Sequence, residues 1–211
     1  MSKHKEIKHI AIAGNIGAGK TTLTEKLAKH YGWEPIYEAV DNNPYLNDFY
    51  ENMPRWSFNL QIYFLHSRLK QVLDIQKGNK TVIQDRTVFE DAYIFAPNLH
   101  EMGLMSTRDF ENYINLFRTI FTQVQAPDLM IYLKCSLPNL VDQIQKRGRE
   151  YEDNIRLDYL KQLNSYYNNW IDNYREGELL VIDVDTLNFA DNPEDFSTVV
   201  HKIDTQLFGL F

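Results

Sequence analysis

Cysteine is nearly absent. Cys135, inside the apolar run "LMIYLKC", is the sole thiol in 211 residues. One cysteine closes no internal disulfide, so the chain reads as one for a reducing compartment, the cytoplasm, with Cys135 a small buried hydrophobe. Long apolar runs are lacking too. No stretch reaches the ~20 apolar residues of a spanning helix, so no membrane association is expected. The opening "MSKHKEIKHIAIAG" carries charge without the apolar core of a signal peptide. Positive charge is in short supply: 22 basic residues face 29 acidic ones, a balance of −7. That argues against non-specific nucleic-acid binding. His30, His66, His100 and His201 show no metal-ligand spacing with one another or with Cys135. No repeat, low-complexity tract or long linker breaks the chain, and its length suits one α/β domain over residues 1–211.

What is present begins at Gly14. "GNIGAGKTT" fits G-x-x-x-x-G-K-[ST] at Gly14, Gly19, Lys20 and Thr21. An isoleucine-rich run, "IKHIAIA", precedes it, and "TTLTEKLAKHY" follows with Leu23 and Leu27 on one helical face. Strand, Gly-rich loop and helix form the context a phosphate-binding loop needs. Here backbone N–H groups from Gly14, Asn15, Ile16, Gly17, Ala18, Gly19 and Thr22 can converge on phosphates, and the helix N-terminus adds about half a positive charge. Lys20 supplies a point charge, and the Thr21 hydroxyl can ligate Mg²⁺. The loop is therefore expected to hold a nucleotide.

Five runs read as strands: "IKHIAIA", "WEPIYE", "KTVIQD", "DLMIYLK" and "ELLVIDV". Helical stretches separate them, which implies a parallel sheet covered on both faces. The long helix, residues 56–77, places Phe58, Ile62, Leu65, Leu69 and Val72 at three- and four-residue steps, with Gly78 as a stop. Others are expected over 106–124, 136–150, 158–174 and 192–208. Strand order is not legible from the sequence.

Ligands of open parallel sheets bind at the C-terminal ends of the strands. Glu38 follows the second strand; Asp85 and Arg86 follow the third. Gln61 and Arg68 lie seven residues apart on one face of the long helix beside Phe64 and Leu65, a polar pair suited to a planar ligand. Asp91 and Phe95 share a face one turn apart. "KRGREYED" gathers Lys146, Arg147 and Arg149, as a lid over phosphates would. "NKTV" at Asn79 lacks the aspartate of a guanine-reading element, against a GTPase switch.

Taken together, "GNIGAGKTT", Glu38 in "YEAV", "RWSFNLQIY…SRL", "DRTVFEDAYIFA" and "RGREYED…LDYL" resemble the deoxynucleoside kinase family over residues 7 to 190. The resemblance implies a thymidylate-kinase-like P-loop fold, a homodimer, and transfer of the ATP γ-phosphoryl to a deoxynucleoside 5′-hydroxyl with Mg²⁺. It implies Glu38 beside that hydroxyl, Asp85 and Arg86 as the family's acid–arginine element with Thr87 for the usual serine, and Tyr50 with Glu152 on the sugar 3′-hydroxyl. Gln61, Arg68 and Asp91 match the base-reading set, and Phe95 a stacking aromatic. Ile16, Val40, Phe49 and Tyr159 match pocket walls. A lid at 143–153, with Gln143 and Tyr151 departing from the family pattern, would bring Arg147 and Arg149 to the phosphates. "DVDTLNF", with Asp183 and Asp185, resembles the loop that packs on the ATP base. Glu38 is preferred as proton acceptor, with Asp85 helping hold the metal. An Arg68–Asp91 pair resembles the purine and deoxycytidine branches, and the compact chain resembles bacterial deoxyadenosine kinases. Deoxyadenosine is thus expected, with deoxycytidine and deoxyguanosine as alternatives. A nucleotide-hydrolysing switch and a thymidylate-type monophosphate kinase are the competing readings; the latter would need basic residues where "YEAVDNNPY" is acidic.

Overall fold

The computed structural model describes residues 7–38, 40, 43–149, 152 and 155–209. All five expected strands form: β1 (His9–Gly14), β2 (Glu34–Ile36), β3 (Val82–Asp85), β4 (Leu129–Lys134) and β5 (Glu178–Asp183). They pair in parallel in the order β2-β3-β1-β4-β5. The second strand is shorter than "WEPIYE". It is an edge strand that pairs only with β3, and beyond Ile36 the chain turns up to carry Glu38 to the rim.

β1 sits centrally, with Ile10 paired to both Ile83 and Leu129. The chain leaves β1 towards one edge and crosses from β3 to β4 towards the other. The ends of β1 and β3 therefore flank the crevice where ligands of such sheets settle. The phosphate loop follows β1, and Asp85–Arg86 closes β3, so both acids and the loop meet there.

Alternation along the strands divides the core. Ala11, Ala13, Met130 and Tyr132 face one layer, built on the helices α2 (Leu46–Glu51), α3 (Met53–Lys77), α6 (Thr107–Phe121) and α8 (Leu157–Asp172). Ile10, Ile12, Ile131 and Leu133 face the other, with α1 (Lys20–Tyr31), α7 (Leu137–Arg147) and α9 (Pro193–Phe208). The alanines on the first face leave room for the aromatic side chains of α8, where Tyr132 and Tyr167 stack 5.8 Å apart.

Helix boundaries follow local chemistry. Asn52 caps α3 through Arg55 N, Pro54 fills its first turn, and Gly78 ends it. Ser106 caps α6 by accepting from Asp109 N. Between α4 (Val88–Glu90) and α5 (Ala96–Glu101) the chain widens into a π-helical turn, Asp91–Phe95. Ala96 N donates to Asp91 O across five residues. Such turns recur at functional sites. No helix among the described residues is long and apolar enough to cross a membrane.

Candidate active site

A cavity of about 500 Å³ opens over the C-terminal rim of the sheet. Its floor is the phosphate loop. Gly17 has φ +87°, and a Cβ there would lie 2.8 Å from Leu140 O and 2.9 Å from Ile144 Cγ1. Only glycine lets the loop pass so close to α7 in that conformation. Gly19, at φ +89°, turns the chain into α1 directly at Lys20. Ile16, Gly17, Gly19, Lys20, Thr21 and Thr22 line the cavity. Gly14, Asn15 and Ala18 lie buried beneath it. Asn15 braces the loop: its Nδ2 donates to Leu160 O and Asn164 Oδ1, and its Oδ1 accepts from Ile16 N at 2.8 Å.

Lys20 is buried, and its Nζ donates to Asn15 O at 3.0 Å. Burial, aided by the charge of Arg86, pushes its ammonium down to about 8, although Asp85 and Glu38 pull the other way. A group so placed gains from any anion set before it. The Thr21 hydroxyl donates to Asp85 Oδ2 at 2.6 Å. Asp85 is buried, and its Oδ1 has no hydrogen-bond partner among the described residues. Burial raises its carboxyl above the ordinary range, and Glu38 adds to that rise. A hydroxyl beside a carboxylate with a spare oxygen suits a hard cation, so these residues fit Mg²⁺.

Across the cavity stand two arginines on one carboxylate. Arg68 Nη2 donates to Glu38 Oε1 at 2.6 Å, and Arg86 Nε lies 2.9 Å from the same oxygen. The latter is off-axis and acts as a charge contact rather than a hydrogen bond. Enclosure would raise the Glu38 carboxyl, but Arg86, Arg68 and Lys20 together bring it down to about 2. Glu38 is therefore ionised at any working pH.

The expected Arg68–Asp91 pair is present. Arg68 Nη1 alone reaches both Asp91 oxygens, each at 2.5 Å. Its second prong is taken by Glu38, which competes for the same guanidinium. Arg68 also stacks on Phe64, 4.4 Å from the ring centre. Its Nε and the Gln61 Oε1 are buried without hydrogen-bond partners among the described residues. Gln61, Phe64, Arg68, Asp91 and Phe95 all line the same end of the cavity, so the spacing on α3 did mark one face. Leu65 is buried but does not line it.

The remaining expected walls, Val40, Phe49 and Tyr159, also line the cavity, as does Tyr50, expected on the sugar. So do Arg147, Arg149 and Glu152. Glu152 is buried, accepting from Arg147 Nε at 3.0 Å and Nη2 at 2.6 Å, with Arg149 at 3.7 Å. The lid arginines thus meet an internal carboxylate as well as the cavity. Gln143 to Arg147 belong to α7, which ends at Gly148 in the left-handed conformation. Glu150, Tyr151 and Asp153 of the expected lid, and Ala39, Asp41 and Asn42 of the acidic "YEAVDNNPY", lie outside the described residues.

Asp183 and Asp185 do not line this cavity. Asp185 accepts from Ser136 N at 3.0 Å and Asn139 Nδ2 at 2.7 Å, closing the first turn of α7. Asp183 Oδ1 accepts from Asp185 N. Their loop still reaches the phosphate loop through Phe189, whose ring would lie 3.1 Å from a Cβ on Gly19.

The family model for deoxynucleoside kinases matches residues 10–208. The chain is 36% identical over 196 residues to the deoxyadenosine/deoxycytidine kinase of Bacillus subtilis, covering 92% of this chain and 90% of that one. It is 37% identical over 202 residues to the deoxyguanosine kinase of the same organism, covering 92% and 95%. The chain belongs to the deoxynucleoside kinase family. A solved structure of deoxyadenosine kinase from M. mycoides with bound dATP overlays with a TM-score of 0.83 at 29% identity, covering 93% of this chain and 99% of that one.

This kinase is a phosphotransferase with a P-loop kinase fold, and the hydrolysing-switch reading loses its support. Two polar residues of the kinase escaped the sequence reading. Glu90 is fully buried and accepts from Gly14 N, Arg86 Nη1, Thr87 N and Tyr167 Oη. Tyr167 also accepts from Arg86 at 2.6 Å. The available signal was "TVFE", a capping box from Thr87 to Glu90. It reads as a helix start and says nothing of the neighbours that β1 and α8 bring.

Proposed function

We propose that the protein phosphorylates the 5′-hydroxyl of a deoxynucleoside from ATP, with deoxyadenosine preferred. One observation carries the reading. Five buried polar side chains, Gln61, Arg68, Asp85, Arg86 and Asp91, line one cavity above a phosphate loop. Burying polar groups costs free energy unless they are paired, so a cavity walled by them suits a polar ligand reaching from the loop to the α3 face.

In this proposal Lys20 and the loop amides hold the donor phosphates. Glu38 takes the hydrogen of the 5′-hydroxyl as its oxygen bonds to the γ-phosphorus. The bond from that phosphorus to the β-phosphate oxygen breaks, and ADP leaves. Arg86, Arg147 and Arg149 meet the charge on the moving group, since phosphoryl transfer is mainly positioning and charge stabilisation. Thr21 and Asp85 would hold Mg²⁺, whose chemistry is to neutralise phosphate charge. Tyr50 and Glu152 would hold the 3′-hydroxyl between Val40, Phe49 and Tyr159.

For the base, the Gln61 amide pairs with a ring nitrogen and an exocyclic amine, and ionised Asp91 accepts from that amine. Thymine O4 meets an acceptor there and is disfavoured. Phe64 narrows this end, which supports deoxycytidine as the second reading. Two relatives with different base names, at 36% and 37% identity, fit a site whose polar set serves several amine-bearing bases. Two-fold pairing through α3 and α6 completes the proposal.

The test is ADP release with each of the four deoxynucleosides and their monophosphates. Deoxyadenosine should give the highest kcat/KM. A preference for thymidine would sink the base assignment, and turnover of monophosphates alone would sink the acceptor.

A further inference from the structure

Glu90 does not line the cavity, yet it joins four residues: Gly14, Arg86, Thr87 and Tyr167. Its side chain is fully buried. Oε1 accepts from Tyr167 Oη at 2.7 Å, Arg86 Nη1 at 3.2 Å and Gly14 N at 3.3 Å. Oε2 accepts from Thr87 N at 2.7 Å and the Thr87 hydroxyl at 3.4 Å. One carboxylate therefore ties together the end of β1, the end of β3, the first turn of α4 and the middle of α8.

What it grips is the strained point of the site. Arg86 is the only non-glycine described residue with positive φ, at 70°. Such a conformation is strained and persists only where its surroundings over-determine it. Here Arg86 N donates to Ile12 O at 3.0 Å, and the next amide, Thr87 N, is held by Glu90. The Arg86 guanidinium lies over Phe95 at 4.6 Å and between two carboxylates. The two differ. The Glu38 side chain is partly exposed at 22% and lines the cavity; Glu90 is sealed. Once a hydroxyl engages Glu38, Glu90 is the counter-charge that stays. The Tyr167 hydroxyl, linked to both Arg86 and Glu90, closes a triangle that fixes the angle between them.

We infer that Glu90, with Tyr167, is a positioning residue for the reaction: it sets Arg86 against the phosphate loop, through Gly14, in the geometry that phosphoryl transfer needs. The inference rests on the proposed role of Arg86 towards the transferring phosphoryl group.

The test uses the full chain and separates kcat from KM. Glu90→Gln keeps the size of the side chain but removes its charge and offers an amide where Thr87 N–H and Arg86 need acceptors. It should lower kcat about 10²-fold, the cost of a small misplacement of reacting groups. KM for ATP and the deoxynucleoside should stay within about threefold, since ground-state contacts remain. Tyr167→Phe should lose kcat in the same direction by a smaller factor. In an Arg86→Lys background, Glu90→Gln should cost less than about a further threefold, because both changes act on one group. Native kcat in a folded Glu90→Gln variant overturns the inference. So do raised KM values at unchanged kcat, or losses that multiply in the double variant. If Glu90→Gln does not fold, Tyr167→Phe decides alone, and native kcat there overturns it. A native chain that releases no ADP with any deoxynucleoside strikes down the kinase proposal, an outcome read before any variant is made.

Discussion

Lys20 and Asp91 show how burial tunes single residues here. Lys20 has its ammonium pushed down by desolvation, and its Nζ hydrogen-bonds only a backbone carbonyl, at 3.0 Å, among the described residues. Lys20→Ala should leave the fold intact, because the variant removes a buried charge, and should lower turnover by about 10²–10³-fold, as removal of a preorganised charge contact does. Rate and circular dichroism together check this; a folded variant with near-normal turnover would reject the donor role. Asp91 is the opposite case. Burial pushes its carboxyl up to about 6, and the pull of Arg68 does not bring it back to the ordinary range. Above pH 6 the group is ionised and accepts from an exocyclic amine. As pH falls through 6 it takes up a proton, and the preference for amine-bearing bases over thymidine should shrink, by up to about tenfold per pH unit for a single protonation. The ratio of kcat/KM values between pH 5 and 8 measures it. A ratio flat across that range would show that Asp91 does not read the base.

At the scale of the element, the phosphate loop and α7 are fitted to each other. Gly17 passes Leu140 O at a distance that leaves no space for a Cβ, at a φ that L residues rarely adopt. Gly17→Ala should destabilise the protein by about 1–3 kcal/mol through strain at that φ, and it should weaken nucleotide binding because the loop must shift. A thermal melt and an ADP titration check both. An unchanged melt with unchanged ADP affinity would mean that α7 yields without cost. The π-helical turn does similar work. Its wider winding carries Asp91 and Phe95 to the cavity while α4 buries Glu90 behind them.

At the scale of the whole molecule, α3 and α6 pack together and still leave apolar surface. On α6, Tyr113 and Phe117 are buried, Ile114, Ile120 and Phe121 are partly covered, and Leu116 is 41% exposed. An apolar excess on one face marks an interaction surface, and a two-fold pairing is the commonest way to cover it. A dimer mass by light scattering at micromolar concentration is the expected outcome, and Leu116→Glu should shift it towards the monomer. A native monomer mass would contradict the pairing.

Much was determined by the sequence alone, because it depends on neighbours in the chain. "GNIGAGKTT" dictates a strand, a tight loop and a helix, since glycines at fixed offsets and a following Lys-Thr have meaning only in that order. The five strand runs and the facing pair Gln61 and Arg68 follow from periods of two and 3.6 residues. Other features were decided only by the tertiary structure. The order β2-β3-β1-β4-β5 arises from crossovers that leave no local mark. Glu38 takes the second prong of Arg68 because β2 ends where its rim faces α3, 30 residues away in sequence. Glu90 reads locally as a helix cap. Its other partners, Gly14 and Tyr167, stand 76 and 77 residues distant and meet it only when the sheet and α8 close around it. Local spacing encodes local geometry; a shared counter-charge between distant segments exists only once the chain has folded.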